Sequence, residues 1–282
     1  MKDVLVLTDF SESAVLASEF GIRIAQNLNL GITFLHVITT PVEWKNLPLE
    51  KEKLYPETKF AIGDAKDQLF RLERKAENLG VETHTSLVLN IGIGEIHKFI
   101  NPEKYDFVVI GIHGVKGKNK PPGSNTLKII YKSRIPVMAV KLGEQAVIPK
   151  KWVIVSHFTE NSRDDFNKLM ARVKKLEISV QLLYVNTPYN FAETEKINNR
   201  LDNFMAPHKN LEMKSNIINA RDEKRGIEYF LKTFQCDLVA LIFDGLSGVT
   251  PLFETNVMSQ FLYDLEVPVI SIMSSSHRES CK

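Results

Sequence analysis

The fold class is indicated most directly by Val4-Leu5-Val6-Leu7-Thr8-Asp9-Phe10-Ser11-Glu12, which joins a short strand directly to the start of a helix. Val4 to Leu7 is rich in branched residues and too short for a helix, which favours a β-strand. Ser11 can cap the helix that follows, and Glu12 suits its first turn. The sequence therefore predicts a strand, a tight turn and an α-helix in immediate succession.

Short apolar runs and longer amphipathic segments alternate after this stretch. The pattern predicts strands over 32–38, 84–89, 106–110 and 136–141. It predicts helices over 11–28, 58–79 and 125–134, and a short helix that follows Gly92 and Gly94 and ends before Asn101. Gly80 is a fitting residue to end the second helix. A βαβαβαβαβ order indicates a parallel sheet with helices on both faces, in which ligands bind beyond the carboxyl ends of the strands.

The second part of the chain repeats the first. Val153 to Glu160 aligns with the opening stretch, with Phe158 at the position of Phe10 and His157 at that of Asp9. Three further pairs of segments match in the same order: 34–37 with 182–185, 105–110 with 236–241, and 135–140 with 267–272. We therefore predict an α/β fold of two tandem Rossmann-like domains, at 1–142 and 151–273. Each is expected to contain a five-stranded, mostly parallel sheet with helices on both faces.

Composition narrows the class of protein. Of the 282 residues, 44% are hydrophobic and 25% are charged, which is typical of a soluble globular protein. The net charge is only +2, so no overall electrostatic attraction to nucleic acid or membrane surfaces is expected. No apolar run approaches the ~20 residues of a membrane span, and no signal peptide is recognisable. Cys236 and Cys281 are the two cysteines, which favours a reducing compartment and gives no metal cluster. We expect a cytoplasmic protein.

A glycine-rich segment follows the fourth predicted strand. Gly111-Ile112-His113-Gly114 is followed, after eight intervening residues, by Gly123-Ser124 at the start of a predicted helix. Unpaired backbone N–H groups and the helix dipole favour an anion at such a point. Lys116, Lys118 and Lys120 add positive charge. The segment predicts a phosphate site; the alternative is a tight connection in which Ser124 only caps its helix and the lysines are solvated.

These features together resemble the universal stress protein (UspA-like) family in a tandem, two-domain form. The resemblance rests on Asp9 after the first strand, the strand–helix order, the glycine motif, and the closing Ile135-Pro136-Val137-Met138-Ala139-Val140. It implies a non-enzymatic protein of the stress response that binds ATP with Mg²⁺, or a related adenine nucleotide, in the first domain. It also implies that the last strands, 136–141 and 268–272, pair with each other as an intramolecular pseudo-dimer, with a homodimer and unidentified proteins as further partners.

By the same resemblance, Asp9 would meet the ribose or adenine side of the nucleotide and Val37 would present its backbone to the adenine. Gly111, Gly114, Gly123 and Ser124 would surround the phosphates. The ATP-binding pattern has nine residues between the last two glycines, whereas here Val115 to Pro122 are eight, and the two prolines in this spacer have no N–H to donate. A nucleotide-independent interaction module, or a binder of another small ligand in the same crevice, is therefore the alternative.

The second domain departs further from the pattern. His157 replaces Asp9, Ile242 stands at the first glycine position, and Glu254-Thr255-Asn256 replaces Gly-Ser, so we interpret its nucleotide site as lost. No nucleophile–base pair or metal-ligand cluster is visible, which argues against an enzyme. His36 is expected to be a hydrogen-bonded strand residue rather than a ligand, and Cys236 a packing or surface thiol. Pro41 to Pro56 is interpreted as a lid over the binding edge or a segment packed on the other domain.

Overall fold

A computed structural model describes residues 2–91, 96–112, 124–141, 147–243, 261–262 and 264–273. The first half contains β1 (Asp3–Leu7), α1 (Glu12–Leu28), β2 (Ile32–Thr40), α2 (Pro56–Glu77), β3 (Thr83–Ile91), β4 (Tyr105–Ile112), α3 (Ser124–Lys132) and β5 (Val137–Lys141). The second half contains β6 (Lys151–Val155), α4 (Glu160–Val173), β7 (Ser179–Asn186), α5 (Thr194–Met205), β8 (Glu212–Asn219), α6 (Glu223–Thr233), β9 (Leu238–Phe243) and β10 (Val269–Met273).

The ten strands form one sheet in the order β3-β2-β1-β4-β5-β10-β9-β6-β7-β8. Every neighbouring pair is parallel except β5 and β10, which are antiparallel. Each half therefore supplies five parallel strands in the same internal order, with the second set running inward from the opposite edge. This confirms the predicted α/β class, and the two predicted sheets are halves of one continuous sheet.

The two halves meet along the last strands, as the resemblance implied. Val269 pairs with Ala139, Ile270 with Met138, and Ser271 with Val137. A second contact crosses between the halves, where the Arg172 Nε of α4 donates to the Asp106 Oδ1 of β4 at 2.9 Å.

Two apolar cores lie on opposite faces of the sheet, because successive side chains of a strand point in opposite directions. In β1, Val4 and Val6 belong to one core and Leu5 to the other. The first core includes residues of α1, α2, α4 and α5, and the second includes residues of α3 and α6. This two-sided burial explains why the strands read as continuous apolar runs.

Several predicted boundaries shift in the structure. β4 extends two residues beyond the predicted end, so Gly111 lies inside the strand and pairs with Val140. α2 begins at Pro56, and the segment before it contains short 3₁₀ turns at Trp44–Asn46 and Lys51–Leu54. Gly80 has a φ of 76° just after α2, as predicted for a residue that ends a helix. No helix in the described part of the chain is long and apolar enough to cross a membrane.

Candidate functional site

The carboxyl edge of the first half brings three predicted site residues together. Leu7 of β1 is in register with Leu35 of β2 on one side and with Ile110 of β4 on the other. Asp9, Val37 and Gly111 come one or two residues after these positions, so they reach the same edge of three adjacent strands. These three residues are far apart along the chain, and the strand order brings them to the same edge of the sheet.

The turn between β1 and α1 fixes the position of Asp9. Phe10 has a left-handed φ of 62°, and its N–H donates to the Thr8 Oγ1 at 3.1 Å. The Asp9 Oδ1 accepts from the Ser11 N–H at 3.1 Å and from the Ser11 hydroxyl at 2.5 Å. Ser11 in turn caps α1 by accepting from the Ala14 N–H at 3.4 Å. The exposed Asp9 carboxylate is therefore held at the start of α1.

His36 supports this turn from the neighbouring strand. Its Nδ1 lies 2.7 Å from the Thr8 carbonyl oxygen, which can only accept, so the Nδ1 carries the proton. Its ring lies 4.5 Å from the Phe10 ring, measured between centroids. This confirms the expectation of a hydrogen-bonded histidine and adds a role that the sequence did not reveal, since His36 fixes the conformation of the Asp9 turn.

Gly111 serves close packing of helix and strand. A Cβ added at this position would lie 2.3 Å from the Ser13 carbonyl oxygen and 2.7 Å from the Ala14 backbone nitrogen. Only glycine therefore allows the first turn of α1 to approach β4 so closely. The N-terminus of α1, with Asp9 before it, is placed directly over the end of β4 by this contact.

The remaining predicted phosphate contacts involve residues outside the described part of the chain. Gly114 and Gly123 lie outside the described residues, as do His113 and the three lysines of the loop. Ser124 begins α3, and its side chain lies outside the described part as well. The phosphate part of the site remains a prediction.

The second half builds the same turn with different chemistry. Phe158 has a φ of 49°, and its N–H donates to the Ser156 Oγ at 3.2 Å, which reproduces the arrangement of Phe10 and Thr8. This agrees with the alignment of Phe158 with Phe10. His157 then stands at the position of Asp9, with its side chain only 14% exposed.

A buried polar cluster surrounds His157. The Asn190 Nδ2 lies 3.4 Å from the His157 Nε2 and 3.3 Å from the Glu223 Oε1, while the imidazole and the carboxylate are 3.6 Å apart. Glu223 is 3% exposed, and its Oε2 has no hydrogen-bond partner among the described residues. Sequence reasoning found the position of His157 but missed Asn190 and Glu223, which lie beyond the carboxyl ends of the adjacent strands β7 and β8.

The described residues offer no metal centre or reactive thiol. No group of three or more histidine, cysteine, aspartate or glutamate side chains is placed to hold a metal ion in this part of the chain. Burial raises the pKa of the Cys236 thiol to about 11, so the thiolate that would act as a nucleophile is scarce at neutral pH. This fits the expected packing role of Cys236.

Comparisons with known proteins agree with this architecture. Two universal stress proteins of Methanocaldococcus jannaschii match this chain, at 27% identity over 142 residues and 29% over 154 residues. Each alignment covers 50% of this chain, and they cover 82% and 94% of the two relatives. A solved universal stress protein from Archaeoglobus fulgidus shares the fold with a TM-score of 0.72 at 17% identity, over 96% of this chain and 98% of its own. The sequence model of the universal stress protein family matches residues 1–141, and the chain belongs to this family.

Proposed function

We propose that this chain is a non-enzymatic, cytoplasmic stress-response protein that binds ATP, or a related adenine nucleotide, at the carboxyl edge of its first half. The observation that carries the proposal is the register of β1, β2 and β4, which brings Asp9, Val37 and Gly111 to one edge. Their roles toward the nucleotide follow the family resemblance. Nucleotide occupancy would then alter a surface that other proteins recognise.

The local chemistry of the described residues supports this placement. An exposed carboxylate such as that of Asp9 can accept hydrogen bonds from ribose hydroxyls. α3 begins at Ser124, shortly after the end of β4, and the N-terminus of a helix favours phosphate. Mg²⁺ commonly binds through phosphate oxygens and water with few protein ligands, so it would arrive with the nucleotide.

Isothermal titration with ATP and Mg²⁺ tests the proposal. The full chain should bind, and Asp9→Asn should weaken binding about tenfold or more, which corresponds to ~1.4 kcal/mol. Asp164→Asn removes an exposed carboxylate of α4 in the second half and should leave the affinity unchanged. Thermal unfolding of each variant separates loss of binding from loss of the fold.

Two results would contradict the proposal. If millimolar nucleotide gives neither heat nor a thermal shift, the first half does not bind nucleotide. A thermal-shift screen that then finds a ligand from a different chemical class would favour the nucleotide-independent alternative. If ATP is hydrolysed at a rate near the ~10 s⁻¹ of ordinary enzymes, the chain is a catalyst.

A further inference from the structure

The loop of residues 187–193 closes the carboxyl edge of the second half between β7 and α5. Its backbone is tied to β7 through Asn186, whose Oδ1 accepts from the Ala192 N–H at 3.1 Å and whose Nδ2 donates to the Ala192 carbonyl oxygen at 3.3 Å. The Tyr184 hydroxyl donates to the Asn190 carbonyl oxygen at 3.2 Å. Tyr189 and Phe191, on either side of Asn190, are 71% and 72% exposed. Hydrogen bonds, rather than burial of these two rings, therefore hold the loop.

The Asn190 side chain links the loop to two other elements of the second half. Its amide group contacts both the His157 imidazole, in the turn after β6, and the Glu223 carboxylate, in the first turn of α6. The loop is thus joined to two other elements through a single amide.

The Glu223 carboxylate determines how that amide is oriented. A carboxylate only accepts, so the amide must turn its NH₂ group toward it. The His157 Nε2 faces the same NH₂ group and must then also accept, which places the imidazole proton on the Nδ1. The contact in the structure therefore requires an imidazole whose Nε2 carries no proton.

We propose that this contact is a proton-sensitive latch on loop 187–193. Protonation of His157 places an N–H on its Nε2, which can no longer accept from Asn190. The imidazolium N–H can then donate to the Glu223 Oε1, 3.6 Å away in the neutral arrangement, and it competes with Asn190 for that oxygen. Asn190 loses its imidazole acceptor, and the loop is held less firmly, while its hydrogen bonds to Asn186 and Tyr184 persist.

Other groups around His157 are compatible with this exchange. From α5, the Arg200 guanidinium donates to the His157 carbonyl oxygen at 3.4 Å. From β7, the Tyr184 ring lies 6.0 Å from the imidazole ring, measured between centroids. The positive charge of Arg200 opposes a positive charge on His157, whereas the Glu223 carboxylate favours it. The Glu223 Oε2 has no hydrogen-bond partner among the described residues. A proton on the imidazole would compensate this buried carboxylate more fully than a neutral amide does.

Hydrogen exchange of the full chain, followed by mass spectrometry, tests the latch. Protection of the amides in residues 187–193 is compared at about pH 7.5 and about pH 5.5, the range in which imidazoles titrate, after correction for intrinsic exchange. We expect protection to fall about fivefold at the lower pH, because a fivefold change corresponds to the net free energy of about one hydrogen bond. His157→Gln, which does not titrate, should remove this pH step.

A second variant and a matched control make the result decisive. Glu223→Gln keeps an oxygen that can accept from Asn190 but removes the negative charge that favours a proton on His157, so the step should be smaller or shifted to lower pH. His84→Gln changes an exposed histidine in the first half and should retain the wild-type step. The latch is excluded if wild-type protection does not depend on pH, if the step survives in His157→Gln, or if it is unchanged in Glu223→Gln.

Discussion

At the scale of single residues, buried polar atoms distinguish the two halves. Ser271 of β10 is 2% exposed, and its Oγ has no hydrogen-bond partner among the described residues. The sequence repeat aligns Ser271 with Ala139, so the first half has a methyl group where the second has a hydroxyl. A buried hydroxyl without a partner lowers stability, because the group has lost its hydrogen bonds to water.

Ser271→Ala should therefore raise the free energy of unfolding, by about 1 kcal/mol. Ser133→Ala is the matched control, since the Ser133 hydroxyl is similarly buried but donates to the Ile135 carbonyl oxygen at 2.7 Å and accepts from its N–H at 3.2 Å. That substitution should lower the free energy of unfolding by about 1–2 kcal/mol. Denaturant titration measures both, and a loss of stability in Ser271→Ala would refute this explanation.

Contacts between single residues are the least predictable level of the structure. The repeat places His157 correctly, because Phe158 and Glu160 match Phe10 and Glu12 next to it. Nothing in the sequence connects His157 to Asn190 and Glu223, which are far from it along the chain and share no periodic pattern with it. The sequence contains a partial signal for such a cluster, because polar residues follow several strands and the ends of adjacent parallel strands meet at one edge of the sheet.

At the scale of elements, the packing of α1 on β4 positions the candidate site. Gly111→Ala should destabilise the chain by about 1–3 kcal/mol, because its new Cβ would collide with the Ser13 carbonyl group and displace the start of α1. Gly63→Ala is the control: Gly63 lies in α2, and a Cβ added there would meet no atom within 4 Å, so alanine should stabilise the helix by about 0.5–1 kcal/mol. Thermal unfolding should shift the two variants in opposite directions, and equal shifts would contradict this explanation.

The elements themselves are more predictable than their ends. Short apolar runs identify the strands of the first half because both faces of a parallel sheet are buried. The predicted end of β4 is too early because glycine usually marks a break in a strand, whereas Gly111 pairs with Val140. The predicted start of α2 is too late because Pro56 reads as part of the preceding loop, although proline suits the first position of a helix.

At the scale of the whole molecule, the pairing of β5 with β10 should make the halves unfold together. The chain has two tryptophans, Trp44 in the first half and Trp152 in the second, so Trp44→Phe leaves fluorescence that reports the second half alone. In denaturant, the fluorescence transition of this variant should coincide with the transition that far-ultraviolet circular dichroism shows for the whole chain. Ile270→Lys places a charge at the buried contact with Met138 and should separate the two transitions. Separate transitions without that substitution would show that the halves are independent.

The pairing of the last strands is predictable through the family resemblance, and the structure confirms it. The phosphate contacts at Gly114, Gly123 and Ser124 remain predictions, because they depend on loop geometry that the described residues do not include. Strand order follows from local patterns and packing rules, whereas ligand contacts depend on a few atoms in one loop.

The pairing of β5 with β10 joins two partners that belong to one chain, and this has an evolutionary consequence. In an assembly of two identical chains, every substitution occurs twice, so both crevices must change together. Here the two partners are covalently joined and encoded separately, and a substitution such as histidine for aspartate at position 157 alters one crevice while Asp9 is retained in the other. The fixed one-to-one stoichiometry therefore allows the two halves to accumulate different substitutions.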